Sequence, residues 1–210
     1  MDWLNRLHTL YPELDPSLPV IQQAVDLLIH TFADGGKVLV CGNGGSAADS
    51  EHIVGELMKG YMSKRPLPPE VRNKLAAVHP EDGEVLASQL QGALPAISLV
   101  SHTALLTAFG NDVSADLAFA QQVYGYGKKG DVVWGISTSG NARNVVFASQ
   151  TARALGLHTI ALTGGDGGIL KKYADVLICA PGETTPAIQE KHLPIYHAIC
   201  AMLEQNFFER

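Results

Sequence analysis

Two loops in this chain combine glycines with side chains that can bind an anion. The first loop is Gly42-Asn43-Gly44-Gly45-Ser46. It follows the apolar run 38–40 and precedes a predicted helix at 47–59. Glycines leave backbone N–H groups accessible, and the N-terminus of a helix attracts negative charge. The loop lacks the Gly-Lys-Ser/Thr of a P-loop and the third glycine of a dinucleotide fingerprint. It therefore predicts a phosphate site that is not a nucleotide site, with a tight turn as the alternative.

The predicted helix after this loop carries His52 and Glu56. Residues four apart share one face of a helix, so the imidazole and the carboxylate lie side by side. Such a pair can transfer protons or bind a metal ion. The alternative is a solvated pair on the helix surface.

The second loop is Ser137-Thr138-Ser139-Gly140-Asn141. It follows a strand predicted at 131–136 and precedes a helix predicted to end near Leu155. Hydroxyl side chains are common N-caps, and we expect one of the three to cap this helix. Three in succession exceed what capping requires, and they suit the oxygens of a phosphate at a helix N-terminus.

Alternating apolar runs and helical patterns define the elements that must position these loops. Besides the segments above, helices are predicted at 18–32, 116–126 and 186–208, and strands at 96–100, 158–162 and 176–180. This alternation predicts an α/β fold, a three-layer sandwich in which helices flank a parallel five-stranded sheet. Ligands of such sheets bind beyond the carboxyl ends of the strands, where both loops lie.

Two further segments carry candidate residues. Asn111 and Asp112 follow a helix-like stretch, and they indicate a turn, a helix cap or an acid in a sugar-binding cleft. Gln189 and His197 lie in the last predicted helix, within roughly 80° of each other on an unkinked helix. Pro194 predicts either a kink or a helix start close to it.

Segment 62–95 is rich in proline and contains two short predicted helices, at 70–77 and 84–90. We interpret it as an insertion that forms a lid, an oligomer contact or a connector without a role. Lys64 and Arg65 are interpreted as surface residues that aid solubility, with contact to an anionic ligand as the alternative.

The composition restricts the class of protein. A chain of 210 residues suits one domain, 1–210, with N-terminal helices in 1–33. Its 46% hydrophobic residues predict an oligomer, and its net charge of −6 argues against a nucleic-acid partner. The three cysteines form neither a zinc motif nor a disulfide framework. Without a signal sequence or an apolar run of membrane length, we expect a cytoplasmic protein with no membrane partner.

Several motifs together resemble one family. They are CGNGGS at 41–46, His52-x-x-x-Glu56, Gly110-Asn111-Asp112, GISTSGN at 135–141, LTGGDGG at 162–168, and Ile188-Gln189-Glu190 followed by His197. This set resembles the sugar isomerase (SIS) domain family. The His/Glu and Gln/His combination is similar to its phosphoheptose isomerase branch. The resemblance runs from about Val20 to the C-terminus, except over 62–95.

The resemblance implies the SIS fold, which is flavodoxin-like or Rossmann-like, and a set of site roles. It implies a zinc site formed by His52, Glu56, Gln189 and His197, with Glu56 as the base and His197 as the acid. It implies that the sugar phosphate is bound by Asn43, Gly44, Gly45, Ser46, Glu56, Asn111, Asp112, Ser137, Thr138, Ser139 and Gln189. It also implies a homotetramer with active sites at subunit interfaces.

The implied reaction converts sedoheptulose 7-phosphate to D-glycero-D-manno-heptose 7-phosphate through an enediolate. Such a reaction requires a base near the carbon, a proton donor at the oxygens, and stabilisation of negative charge. Zinc can supply the last of these. Because metal ligation lowers the basicity of a carboxylate, either the metal is supportive or Glu56 changes its coordination during turnover.

Two functions without catalysis are the alternatives: a scaffold such as the replication initiator-associating protein, and a phosphosugar-sensing regulator. That scaffold lacks an acid at the position of Glu56, so the presence of Glu56 favours the isomerase. The chain departs from the family pattern at three places. Ala142 stands where serine is usual, and Pro186 stands where an acid is usual. Lys59 and Gly60 stand in place of the basic residue that is expected shortly after Glu56. These departures leave the exact sugar phosphate open.

Overall fold

The short apolar runs form five parallel strands of a single sheet. The structure, a computed structural model, describes residues 1–209. The strands are β1 (Val38–Cys41), β2 (Ala96–Ser98), β3 (Val132–Ser137), β4 (His158–Gly164) and β5 (Val176–Ala180). Their spatial order is β2-β1-β3-β4-β5. The direction in which strands are added therefore reverses between β1 and β3, which is where sheets of this order bind ligands.

Helices cover both faces of the sheet. The helices within residues 1–209 are α1 (Trp3–Leu10), α2 (Leu18–Ala33), α3 (Gly45–Met58), α4 (Pro69–Val78), α5 (Gly83–Gln89), α6 (Thr103–Phe109), α7 (Ala118–Tyr126), α8 (Arg143–Ala154) and α9 (Thr185–Phe208). Short 3-10 helices occur at Pro12–Ser17, Ala115–Leu117 and Leu170–Lys172, and a π-helical turn occurs at Gly110–Ser114.

Strand β3 shows how the sheet joins the two hydrophobic clusters. Trp134 and the β3 residues two positions before and after it pack with residues of α1, α2, α3 and α9. Val133 packs on the other face, with residues of α7 and α8. Successive side chains of a strand point to opposite faces, so a strand buried on both faces must be apolar throughout. The predicted three-layer α/β sandwich with a parallel five-stranded sheet is confirmed.

The second loop differs from its prediction in one respect. None of its three hydroxyls caps α8, because this helix begins at Arg143 and has Ala142 at its N-cap. Gly140 adopts a φ of 65°, and a Cβ there would lie 2.0 Å from the carbonyl oxygen of Gly167. This tight turn extends the loop before the helix can start, so the capping prediction is wrong.

Two other expectations also change. Helix α9 continues through Pro194, so the alternative that a helix begins near this proline is wrong. Arg65 is only 1% exposed and donates from Nε to Oε1 of Glu204 at 2.7 Å. Neither surface solubility nor contact with an external ligand describes Arg65, whereas Lys64 is exposed as expected.

The structure bears on membrane insertion and on disulfides as well. No helix within residues 1–209 combines the length and the apolar character needed to cross a membrane. Cys41, Cys179 and Cys200 are free thiols. The absence of a disulfide framework predicted for these three cysteines is confirmed.

His192 is a fully buried imidazole on α9. Its Nε2 donates to the carbonyl oxygen of Thr163 at the end of β4, at 3.1 Å, and its Nδ1 has no partner within residues 1–209. Burial lowers the pKa of His192, and the bond to Thr163 opposes this shift. Because the folded pKa lies below the unfolded value of about 6.5, the unfolded chain takes up a proton first as the pH falls.

We therefore expect His192 to reduce the stability of the fold below about pH 6.5 and to have no such effect above it. His192→Gln keeps an N–H donor for Thr163 but does not titrate. Between pH 8 and pH 5, the unfolding free energy of the wild type should fall more than that of the variant, by up to about 2 kcal/mol, because pH 5 lies about 1.5 units below the unfolded pKa. Urea unfolding at both pH values measures this difference, and equal pH dependence would contradict the assignment.

Candidate active site

The two predicted anion loops meet at the carboxyl edge of the sheet because β1 and β3 are paired neighbours. Cys41 lies opposite Gly135, so the first loop leaves β1 beside the last residues of β3. Asn43 and Asn144 exchange two amide hydrogen bonds, of 2.8 and 2.9 Å, and so join the first loop to α8. Asn144 was not identified from the sequence, and no local pattern points to a partner 101 residues away.

The first loop leads directly into α3. Within residues 1–209, the N–H groups of Gly44 and Gly45 donate to no other group. A Cβ on Gly45 would lie 1.7 Å from Nε2 of Gln189, so any larger residue here would displace this amide. Ser46 is buried, and its N–H donates to the carbonyl oxygen of Asn43. The loop thus presents backbone donors, as an anion site requires.

The second loop is held by the glycine-rich turn that follows β4. The N–H of Gly164 donates to the carbonyl oxygen of Thr138 at 2.9 Å. The N–H of Asn141 donates to Oγ of Ser139 at 3.2 Å. Ser137 is buried, Thr138 is half-buried and Ser139 is exposed, so the three hydroxyls lie at decreasing depth below the surface along the chain.

Helices α3 and α9 bring three predicted catalytic and metal-binding side chains into contact. Nε2 of His52 lies 3.2 Å from Oε1 of Glu56 and 3.5 Å from Nε2 of His197. Burial and the neighbouring His52 lower the pKa of His197, and Glu56 opposes this effect. The carboxylate of Glu56 also contacts Nζ of Lys59 at 3.2 Å. The side chain of Glu56 is 12% exposed, so it is accessible from the cleft but largely desolvated.

A hydrogen-bond chain behind this cluster determines which nitrogen of His52 carries a proton. The hydroxyl of Tyr196 donates to Oδ1 of Asp49 at 3.2 Å. Nδ1 of His52 lies 3.0 Å from the same hydroxyl oxygen and must therefore be the donor. Burial raises the pKa of Asp49 and that of Tyr196. Asp49 lies three residues before His52 on one helix face, which is a signal the sequence offers; Tyr196 carries no comparable signal.

With its proton on Nδ1, His52 presents a lone pair on Nε2 to the carboxylate of Glu56. Two acceptors only 3.2 Å apart require a positive charge between them, either a second proton or a metal ion. Two ligands of one tetrahedral zinc ion, with bonds of about 2.0 Å, lie about 3.3 Å apart. The two distances from His52 are close to this value. No three His, Cys, Asp or Glu side chains of residues 1–209 are arranged to hold one metal ion. The spacing typical of zinc ligands is therefore found only between pairs of these side chains.

The remaining predicted residues are placed differently. The amide of Gln189 lies against Gly45, and Gln189 lines a surface pocket together with Asp49, so it lies between α3 and α9 beside the cluster. Asn111 and Asp112 are exposed on the π-helical turn, where the Asn111 amide donates to Oδ1 of Asp112 at 2.9 Å. In the described part of the chain, no hydrogen bond or ion pair links these two residues to the cluster, and their role in binding stays a prediction.

Comparison with known proteins agrees with the fold. A family model described as SIS domain matches residues 3–80 and 83–164. The phosphoheptose isomerase of Synechocystis sp. is 36% identical over 209 residues, which cover 99% of this chain and 94% of that protein. The chain belongs to the phosphoheptose isomerase family of SIS domain proteins. The resemblance inferred from the motifs is confirmed.

Two further relatives of this family match over most of their length. The phosphoheptose isomerase of Citrifermentans bemidjiense is 41% identical over 190 residues, covering 90% of this chain and 85% of that protein. The structure of a phosphoheptose isomerase from Francisella tularensis superposes with a TM-score of 0.74 at 30% identity, covering 98% of this chain and 100% of that one.

The chain from His52 through Tyr196 to Asp49 leads to a test of its own. Tyr196→Phe removes the hydroxyl that accepts a hydrogen bond from His52 and donates one to Asp49. We expect the unfolding free energy to fall by about 1–2 kcal/mol, because the half-buried Asp49 and the ring of His52 each lose a hydrogen-bond partner. Tyr124→Phe is the matched control, since Tyr124 is 68% exposed and the change should stay within about 0.5 kcal/mol. Urea unfolding compares the two, and equal stability of both variants would contradict the proposed chain.

Proposed function

We propose that this chain is an aldose–ketose isomerase that converts sedoheptulose 7-phosphate to D-glycero-D-manno-heptose 7-phosphate. The observation that carries the proposal is that α3 connects the first anion loop to the cluster of His52, Glu56 and His197. The relatives described above are named phosphoheptose isomerases and align with 90% or more of this chain, which supports the same substrate class. Nothing among them supports the scaffold alternative.

The phosphate group of the substrate binds where the two loops converge. The N–H groups of Gly44 and Gly45 and the hydroxyls of 137–139 supply neutral donors, and α3 begins directly behind the first loop. A dianion can be held by such donors and by a helix N-terminus without a cationic side chain. Anchoring the phosphate here leaves the other end of an open-chain sugar free to reach Glu56 and His197.

Glu56 and His197 carry out the proton transfers. Glu56 removes a proton from C1 of the ketose, the electron pair forms the C1–C2 double bond, and the C2 oxygen takes a proton from His197. Return of the carbon proton to C2 and of the O1 proton to His197 gives the aldose and restores both groups. The low exposure of Glu56 favours this role, because it keeps bulk water away from the carboxylate that takes the carbon proton.

The proposal includes one zinc ion per subunit, held by His52, Glu56, Gln189 and His197. The opposed acceptors of His52 and Glu56 and the spacing of the two Nε2 atoms support it. Bound zinc supplies positive charge that stabilises the negative charge developing on the substrate oxygens. The hydrogen bond to Tyr196 orients His52 so that Nε2 is available as a ligand.

The proposal also includes a homotetramer with active sites at subunit interfaces. Helix α6 supports it, because its sequence TALLTAF is largely apolar and yet none of its residues is buried in the single chain. Val113 is also exposed, at 63%. An apolar helix left uncovered is typical of a surface that contacts another subunit.

Glu56→Gln and His197→Asn should each lower kcat by about 10²–10⁴-fold, because each removes one proton-transfer group. An NMR assay of sedoheptulose 7-phosphate conversion in D₂O measures both the rate and deuterium at C2 of the aldose. Glu51→Gln and His158→Asn are matched controls at exposed positions and should retain wild-type turnover. Gel filtration verifies that all variants keep the wild-type assembly, and a monomeric wild type would contradict the tetramer. Wild-type rates for a folded Glu56→Gln variant would overturn the assigned base.

Removal of metal with a chelator should abolish turnover, and added Zn²⁺ should restore it at about one ion per chain. His52→Asn should lose the tight site, because one of the paired donors is absent. Calorimetric titration of metal-free protein with Zn²⁺ measures the stoichiometry and the affinity, with His158→Asn as the control. Failure of the wild type to bind Zn²⁺, or equal binding by His52→Asn, would rule out the zinc site.

A further inference from the structure

A buried ion pair lies directly behind the proposed site, outside the residues that touch substrate. The side chains of Arg65 and Glu204 are 0% and 1% exposed, and Nε of Arg65 donates to Oε1 of Glu204 at 2.7 Å. The ring of Phe208 covers the guanidinium, whose carbon lies 4.7 Å from the ring centre. A buried charge pair is weak support for stability, because desolvation offsets much of the attraction between the charges. Its geometry is therefore more informative than its strength.

Arg65 holds the C-terminus of α3. Its Nη1 donates to the carbonyl oxygen of Leu57 at 2.7 Å, and its Nη2 donates to that of Glu56 at 2.9 Å. These carbonyls belong to the last four residues of α3, which have no helical N–H partners. The guanidinium thus contacts the backbone of the proposed base itself and limits the movement of the final helical turn.

Glu204 performs the corresponding function from α9. Its carboxylate accepts three consecutive backbone N–H groups, those of Tyr61, Met62 and Ser63, at 2.7–2.9 Å. Glu204 lies seven residues after His197, so the two side chains share one face of the helix. These bonds hold the backbone at Tyr61, whose ring lies 5.5 Å from the ring of His197.

We propose that Arg65 and Glu204 are positioning residues that set the gap between Glu56 on α3 and His197 on α9. The pair joins the last turn of α3, the turn at 61–63 and α9 in one set of bonds. The proposal rests on the function proposed above. Proton transfer at two adjacent carbons depends on this gap, because a displacement of about 1 Å at a reacting group can cost 10²-fold in rate.

The test compares two buried carboxylates with similar partners. Glu204→Gln replaces one acceptor oxygen by an amide that faces the N–H groups of the turn. Asp131→Asn is the control, since Asp131 is 3% exposed and accepts bonds from the N–H groups of Lys37 and Lys128 and from the Lys37 ammonium. Asp131 directly precedes β3, and neither of these partners belongs to α3, α9 or the turn at 61–63.

Glu204→Gln should lower kcat by about 10- to 100-fold with KM within about threefold of the wild type. Asp131→Asn should lose comparable thermal stability and keep kcat. If Glu204→Gln does not fold, Arg65→Met/Glu204→Gln is measured by the same criteria, because it leaves no buried charge unpaired. Wild-type kcat in the folded variant, or an equal loss of kcat in Asp131→Asn, would overturn the proposal.

Crystal structures provide a readout that does not depend on the reaction. The distance between the Nε2 atoms of His52 and His197, 3.5 Å in the wild type, should be longer in Glu204→Gln and unchanged in Asp131→Asn. An unchanged distance in both variants would overturn the positioning role. If the wild type does not convert sedoheptulose 7-phosphate, the proposed function fails while this distance still tests the pair.

Discussion

The parallel pairing of β1 with β3 is the constraint on which the rest of the site depends. Because these strands are neighbours, although β2 lies between them in sequence, the loops that follow them emerge side by side. The sheet order reverses at this point, which is where sheets of this order bind ligands. The reciprocal amide bonds between Asn43 and Asn144 then fix the opening between the loops.

The chemistry arises at the contact between α3 and α9, which lies beside this opening. Gly45 leaves room for the amide of Gln189, and the packing of α3 on α9 places His52 and Glu56 beside His197. With the proton of His52 on Nδ1, its Nε2 and the carboxylate of Glu56 face each other as acceptors, so a second proton or a metal ion must lie between them. The hydrogen-bond chain behind His52 prevents the ring from relieving this by exchanging the roles of its nitrogens.

The first residues of segment 62–95 are bonded to α3 and α9, and only the residues after them project from the core. Helices α4 and α5 form a hairpin, and an isolated bridge between Pro66 and Gln91 closes it. The residues just before the hairpin include Arg65 and supply the backbone N–H groups that donate to Glu204. The start of a segment interpreted as an insertion therefore belongs to the core behind the site, which explains how an arginine there can be buried.

Local patterns in the sequence were sufficient for the sheet, the helices flanking it and the two loops, because strand and helix periodicity depend on neighbouring residues. The pairing of His52 with Glu56 is likewise a property of one helical turn. Only the tertiary structure decided that Arg65 is buried and that Tyr196 orients His52, since their partners lie 139 and 144 residues away. It also decided that no hydroxyl of the second loop caps α8, because the turn at Gly140 is imposed by packing against Gly167. Contacts of this kind depend on how the helices pack across the sheet, and the residues adjacent to a side chain in the sequence do not indicate that packing.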